Sequence, residues 1–290
     1  TKKKKIIFSM MNIINNDYFK IFVSETKRFG SKLIISDHGG GLKYKTSPLE
    51  HHYEKICEKF INWDNRVKKN FLLSLSPSLE IITKKKLLRN PKYFTVLFWE
   101  SSKYPQRIQS TPYFSEDVKD FKNLIYFIKT LKKNIINKIK FRLKSSQSIN
   151  SDKIFKVFFG QSKIDKNNSK SSYYSLLKNS RLVLLNYPTT ALSETLYLNI
   201  PSILVCKREI WNFNKLSLKT FYQMKKQKMV FENYSDAKSH IENIFNDVDK
   251  WWNKDSVQEA RNKYLKNFFN VKNNWENDWN SAIKKLNNSF

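Results

Sequence analysis

The residues best suited to chemistry stand at two places where an apolar strand runs into a loop. The first is Ser180-Arg181-Leu182-Val183-Leu184-Leu185-Asn186-Tyr187-Pro188-Thr189-Thr190-Ala191-Leu192-Ser193-Glu194-Thr195-Leu196. Here a strand ends in a turn and a helix begins at hydroxyl residues. Thr189 or Thr190 can cap that helix. Free amides and the positive helix end favour a phosphate at the same place. Glu194 lies one turn inside, four residues beyond Thr190, where a carboxylate can accept hydrogen bonds from ribose hydroxyls. An ordinary strand-turn-helix with a capping threonine shows the same local pattern.

The second place is the strand 32–36, which runs straight into Asp37-His38-Gly39-Gly40-Gly41. Three glycines let backbone approach a ligand closely. An imidazole that titrates near neutrality suits deprotonation of a hydroxyl. Asp37 can be the base instead, or can orient a neighbour, and a turn with a polar histidine is the plain alternative. Two arginines come next: Arg142 in an expected strand over 138–143, and Arg107 in the loop after the strand that ends at Glu100. Guanidinium groups there suit a diphosphate or a carboxylate, and surface arginines are the alternative. Glu100 and Glu209 also stand at strand ends.

The elements that must position these groups alternate between strand and helix. Strands are expected at 5–11, 32–36, 94–99, 138–143, 155–159, 182–186 and 203–206. Helices are expected at 16–29, 47–60, 115–133, 171–179, 190–198, 214–225 and 235–252, with one or two more over 255–287. In the helix 16–29, Tyr18, Phe19, Phe22 and Val23 are read as one face, with Gly30 as the stop. In the helix 115–133, Phe121, Leu124, Ile125, Ile128 and Leu131 follow helical spacing. Residues 64–92 read as basic and irregular, and 145–153 as a polar surface loop. Such alternation calls for a mainly parallel sheet with helices on both faces, and ligands bind at the carboxyl ends of its strands.

Composition narrows the class further. The chain has 290 residues, with 40% apolar and 15% aromatic side chains, enough for a core and against wholesale disorder. No stretch approaches the roughly 20 apolar residues of a membrane-spanning helix. Cys57 and Cys206 are the only cysteines, which excludes a disulfide scaffold and fits a reducing compartment. The formal net charge is +29, but Arg supplies 8 of the 54 basic residues and Lys the remaining 46. The lysines are spread along the chain among many Asn, Ile, Phe and Tyr, all of which have A/T-rich codons. That pattern argues against a dedicated nucleic-acid binder and for attraction to an anionic membrane surface or anionic substrate. The basic lead-in Lys2 to Lys5 before a short apolar run lacks a small-residue cleavage site, so it reads as a strand and not a leader. The chain shows no Cys-x-x-Cys, His-Glu-x-x-His, Gly-x-Gly-x-x-Gly, P-loop or Gly-x-Ser-x-Gly pattern. No metal or cofactor is expected, and the pair His51-His52 near Cys57 is not read as a zinc site.

On these residues the run 180–206 resembles the donor-binding half of GT-B glycosyltransferases. It is similar to transferases of bacterial surface-carbohydrate biosynthesis and, distantly, to Kdo and nonulosonate transferases. Residues 32–40 resemble that family's strand and His-Gly-Gly loop, and 60–63 its following Trp-containing segment. Trp251-Trp252 and residues 257–268 resemble its C-terminal helices. Three positions differ: Asp37 replaces Gln, Leu42-Lys43 replaces Tyr-Gly, and Asp64-Asn65 replaces Gly-Trp.

The resemblance implies an α/β, GT-B-like chain of two Rossmann-like domains with parallel sheets. The expected parts are a partial, truncated acceptor-side lobe over 1–90, a nucleotide-sugar domain over 91–270 and a helical tail over 271–290. It also implies sugar transfer from a nucleotide-sugar to a surface-polysaccharide or lipid-linked acceptor at the cytoplasmic membrane face. Arg107, Arg142, Tyr187, Thr189, Thr190 and Glu194 would bind the donor. Asp37 or His38 would act as the base, with Gly39, Gly40 and Gly41 in the acceptor-side loop. The nucleotide-sugar is then substrate, and no cofactor is implied. A nucleotide-sugar 2-epimerase on the same architecture and a non-catalytic polyanion-binding module are the alternatives.

Overall fold

The structure is a computed structural model. It describes residues 6–10, 12–37, 52–53, 55–63, 71–73, 88–99, 114–144, 150–165, 170–207, 213–269 and 275–288. The chain divides into two compact units. Unit 1 comprises Thr1–Lys85 and Leu265–Phe290, and unit 2 comprises Lys86–Tyr264.

In unit 1, strands β1 (Ile6–Ser9), β2 (Lys32–Ser36), β3 (Lys59–Asn62) and β4 (Phe71–Leu73) form a parallel sheet in the order β1-β2-β3-β4. The apolar run of β2 is buried on both faces, as parallel strands require. Leu33 and Ile35 join Ile7, Val23, Tyr53, Cys57 and Phe60 on one side, and Ile34 meets Ile61 on the other. Helices α1 (Asn12–Asn15) and α2 (Asp17–Arg28) connect β1 to β2. Asn16 caps α2 by accepting from Phe19 N at 3.0 Å, and Gly30 ends the segment with φ of 86°.

Three expectations for this unit are corrected. The face Tyr18–Phe19–Phe22–Val23 is split: Val23 is buried and Phe19 packs against the core, whereas Tyr18 and Phe22 are exposed. Tyr18 and Phe22 sit 100° or more round the helix from Val23, on the solvent side. The expected helix over 47–60 does not reach 60, because Lys59–Asn62 pairs with β2 as β3. Phe71–Leu73, inside the stretch read as irregular, pairs with β3.

In unit 2, β5 (Tyr93–Trp99), β6 (Ile139–Lys144), β7 (Ser180–Leu185), β8 (Ser202–Val205) and β9 (Val230–Phe231) form a parallel sheet in the order β6-β5-β7-β8-β9. The α-helices α3 (Phe114–Thr130), α4 (Lys133–Ile136), α5 (Ser151–Phe159), α6 (Lys170–Lys178), α7 (Thr190–Tyr197), α8 (Lys215–Lys226), α9 (Tyr234–Ile244) and α10 (Val248–Trp252) belong to unit 2, and α11 (Asp255–Phe268) begins in it and runs past its last residue, Tyr264. A last helix, α12 (Trp275–Asn287), returns to unit 1, where Trp279 packs edge-on against Phe8.

One expected strand, 155–159, is a helix. Ile154, Phe155, Phe158 and Phe159 recur at helical spacing, and Phe155 is fully buried against Phe98, Phe121 and Phe141. The expected helix over 235–252 is two, α9 and α10, separated by a tight turn at Phe245–Asp247. Chain order reverses direction between β5 and β7. In open α/β sheets the carboxyl ends at such a switch point border the ligand crevice.

Candidate active site

The switch point is tied together by side chains from both strands. Asn186, the residue after β7, accepts from Trp99 N at 3.0 Å through Oδ1 and donates to Trp99 O at 3.1 Å through Nδ2. This amide clamp fixes the ends of β5 and β7 against each other. The Tyr187 ring, only 4% exposed, stacks on Trp99 with centroids 4.3 Å apart and planes 26° apart. Tyr187 is therefore a wall of the crevice, its ring position set by Trp99.

From this wall the chain enters α7. Thr189 holds extended backbone and its Oγ1 accepts from Ala191 N at 3.1 Å, so Thr189 is the cap and Thr190 is the first helical residue. The helix is anchored from behind by the segments that carry the two C-terminal resemblances. Ser193 Oγ and Tyr264 Oη are 2.8 Å apart, and Arg261 donates to the carbonyls of Leu196 and Tyr197. A guanidinium at those last carbonyls complements the negative helix end. Trp252 Nε1 donates to Asn199 Oδ1 at 2.9 Å, where Asn199 takes the left-handed conformation with φ of 54°. The positive end of α7 is thus presented at the crevice with its tilt set by polar contacts from three residues, Tyr264, Arg261 and Trp252.

Beneath α7 lies a network that local sequence does not reveal. Arg142 Nη1 donates to Asp165 Oδ2 at 2.5 Å and to Ser172 Oγ at 3.0 Å. Its guanidinium carbon lies 5.1 Å from the centroid of the Tyr173 ring. Tyr173 Oη donates to Glu194 Oε2 at 2.8 Å. Arg142 and Asp165 are 16% and 17% exposed, so this ion pair is largely withdrawn from water. Burial, followed by the charge of Glu194 and its hydrogen bond, pushes the Tyr173 phenol well above its ordinary value, with Arg142 opposing. Burial and Glu194 also raise Tyr174. Tyr173 therefore stays protonated as a donor to Glu194.

In unit 1, Asp37 closes the carboxyl end of β2 and is 2% exposed. Its amide donates to Ile61 O at 2.8 Å, and the Ser36 hydroxyl donates to Asp37 O at 2.9 Å. Trp63 Nε1 in turn donates to Ser36 Oγ at 3.3 Å. His38, Gly39, Gly40, Gly41 and Arg107 lie outside the described residues.

The structure thus brings together Arg142 and Glu194 in one network, and Tyr187, Thr189 and Thr190 along one strand-to-helix turn. Sequence reading missed Trp99, Asp165, Ser172 and Tyr173, and took Asn186 only as a strand end. A polar residue closing the apolar run Leu182 to Leu185 was the available signal for Asn186. The others meet the site from 21 to 87 residues away in sequence, and nothing local marks them.

Two parallel α/β units of Rossmann-like type define a GT-B-like protein. The model of the LIC12162 family transferase matches residues 1–283, so the chain belongs to that transferase family and is an enzyme. Among solved structures, S. aureus MnaA in complex with UDP is similar at 9% identity with a TM-score of 0.58, over 100% of this chain and 77% of that one. The wall teichoic acid polymerase TagF, as the H444N variant soaked with CDPG, is similar at 9% identity with a TM-score of 0.51, over 98% of this chain and 90% of that one. At these identities the likeness is one of fold. A comparison with curated proteins found no match.

Proposed function

We propose that this transferase moves a sugar from a nucleotide-sugar donor to a surface-polysaccharide or lipid-linked acceptor, with the donor bound at the β5–β7 switch point of unit 2. The observation that carries the reading is the Thr189-capped end of α7, set at that switch point above the Arg142–Tyr173–Glu194 network. The Thr190 amide, with the positive helix end, receives donor phosphate. Glu194, held by Tyr173, accepts from the ribose hydroxyls. Arg142, paired with Asp165, acts through the network by supporting Tyr173, and Arg107 is assigned to the phosphates from its loop. Tyr187 shapes the crevice wall.

In transfer, the acceptor hydroxyl oxygen bonds to the anomeric carbon while the bond from that carbon to the phosphate oxygen breaks. The nucleotide leaves with the electron pair, and a base takes the hydroxyl proton. His38 is assigned as that base, oriented by Asp37, with Gly39, Gly40 and Gly41 giving the acceptor close backbone access. Stabilisation of the departing phosphate by prearranged dipoles and charge is the main rate term. The fold shared with MnaA in its UDP complex and with the CDPG-soaked TagF variant supports a nucleotide at this edge. A cytoplasmic location with peripheral contact to an anionic membrane completes the reading.

A thermal-shift panel of CMP, UDP, GDP and their sugars at two salt concentrations tests it. One nucleotide class raising Tm at both salts supports the donor site and names the donor. Stabilisation by any polyanion that vanishes at high salt overturns it in favour of a charge-driven binder.

A further inference from the structure

Two helices of unit 2 expose a surface that the donor site does not use. On α3, Lys119, Lys122, Tyr126 and Lys129 lie within about 80° of arc, at spacings of three, seven and ten residues. All four are exposed, and Tyr126 is 72% accessible. Beside them α5 presents Val157 at 82% and Phe158 at 48% accessibility. Lys129 Nζ sits 3.5 Å from the centroid of the Phe158 ring, which joins the two helices into one patch. Exposed Lys153 on α5, and exposed Lys132 and Lys133 after α3, extend its basic rim.

The acids of α3 stand outside this arc. Asp120 turns toward α9, where it accepts from Tyr234 Oη at 3.0 Å, and Glu116 lies on that same side. On α5 the acid Asp152 pairs with Lys156. Among the described residues Lys119, Lys122, Lys129 and Lys153 make no ion pair. An exposed apolar helix face in unit 1 is different in kind. On α2, Tyr18, Ile21 and Phe22 are exposed, but Lys20 pairs with Asp17, Lys27 with Glu58 and Arg28 with Glu25. Charge there is compensated locally, whereas on the α3–α5 patch it is not.

We infer that the α3–α5 face docks unit 2 on an anionic phospholipid surface. Lysines uncompensated by acids meet lipid headgroups, and each lysine close to an anionic leaflet contributes about a fivefold factor in partition. Tyr126, Val157 and Phe158 enter the headgroup layer, where an amphipathic tyrosine and apolar side chains are favoured. Among the described residues no helix is long and apolar enough to cross a membrane, so the contact is of the surface kind. The inference deepens the membrane part of the proposed function and is independent of the nucleotide chemistry.

The test uses the full chain with vesicles of phosphatidylcholine alone and of phosphatidylcholine with 30% phosphatidylglycerol. The variant Lys119→Glu/Lys122→Glu/Lys129→Glu is compared with Lys219→Glu/Lys226→Glu/Lys263→Glu, which changes net charge equally at exposed positions elsewhere in unit 2. A third variant, Tyr126→Ser/Val157→Ser, keeps the charge and removes the apolar contact. The expected results are binding to the anionic vesicles only, a loss of at least thirtyfold in the first triple, and less than fivefold in the second. The double variant is expected to lose three- to tenfold, with the loss persisting at high salt. Absence of wild-type binding to anionic vesicles, or equal losses in the two triples, overturns the assignment. Nucleotide-induced Tm shifts measured on the same variants stay at the wild-type value, so failure of the docking surface and failure of the donor site are separately visible.

Discussion

At the carboxyl edge of the unit 2 sheet, strand ends are tied to one another by charged and polar side chains from distant parts of the chain. Asn186 clamps Trp99, Arg142 pairs with Asp165 and Ser172, and Tyr173 holds Glu194. At the carboxyl edge of the unit 1 sheet the described ties run through backbone groups, a serine hydroxyl and an indole N–H. Ser36 links the Asp37 carbonyl to Trp63, and the Asp37 amide joins β3. The difference teaches which edge is prearranged. A phosphate site gains most when its dipoles are fixed before the ligand arrives, and unit 2 fixes the helix end, the carboxylate and the aromatic wall independently of any ligand.

If that contrast is real, the largest effect comes from breaking the buried ion pair. Arg142→Met leaves Asp165 charged and largely withdrawn from water, and urea unfolding is expected to show a loss of about 3 kcal/mol. The double variant Arg142→Met/Asp165→Leu recovers most of it, because no uncompensated charge remains. A single-variant loss within the noise would mean that the network does not hold the edge.

The next effect is acid sensitivity of unit 2. Burial, with Lys228 and Lys254 nearby, pushes His240 down to about 4 from its ordinary 6.5. Its ring lies against Phe231 and Trp251. The folded state therefore holds His240 neutral where the unfolded chain protonates it. Stability is full above pH 6.5 and falls as pH drops from 6.5 toward 4, by up to about 3 kcal/mol. His240→Phe should flatten that part of the stability–pH curve, and an unchanged slope would remove His240 as its origin.

Smaller still is the helix cap. Thr189→Ala should cost about 1 kcal/mol and weaken nucleotide binding, while Thr189→Asn keeps both. The matching perturbation in unit 1, Ser36→Ala, removes the partner of Trp63 Nε1 and should cost about 1 kcal/mol or less. It should leave nucleotide binding unchanged, and a change there would dissolve the contrast between the two edges.

Much of the frame was legible in the sequence because its signals are local. The apolar runs of β2, β5 and β7 and the threonines before α7 each declare themselves within a few residues. The helix α5 did not, since Phe155-Lys156-Val157-Phe158-Phe159, apolar but for Lys156, fits a strand until the spacing of Ile154 is included. The exposed face of α2 was misread for the opposite reason, because Tyr18 and Phe22 are apolar without being buried. The site was legible only where one segment supplies it. Thr189, Thr190 and Glu194 lie in a single run, but the groups that hold them, Asp165, Ser172, Tyr173, Arg261 and Tyr264, arrive through tertiary packing.

The most direct test of the central claim is isothermal titration of the nucleotide selected by the thermal-shift panel into the wild-type chain and Glu194→Ala. The account predicts saturable binding of one nucleotide at both low and high salt, weakened at least tenfold in the variant with the fold intact. Equal affinity in the two proteins, or binding that disappears with salt in both, would contradict it.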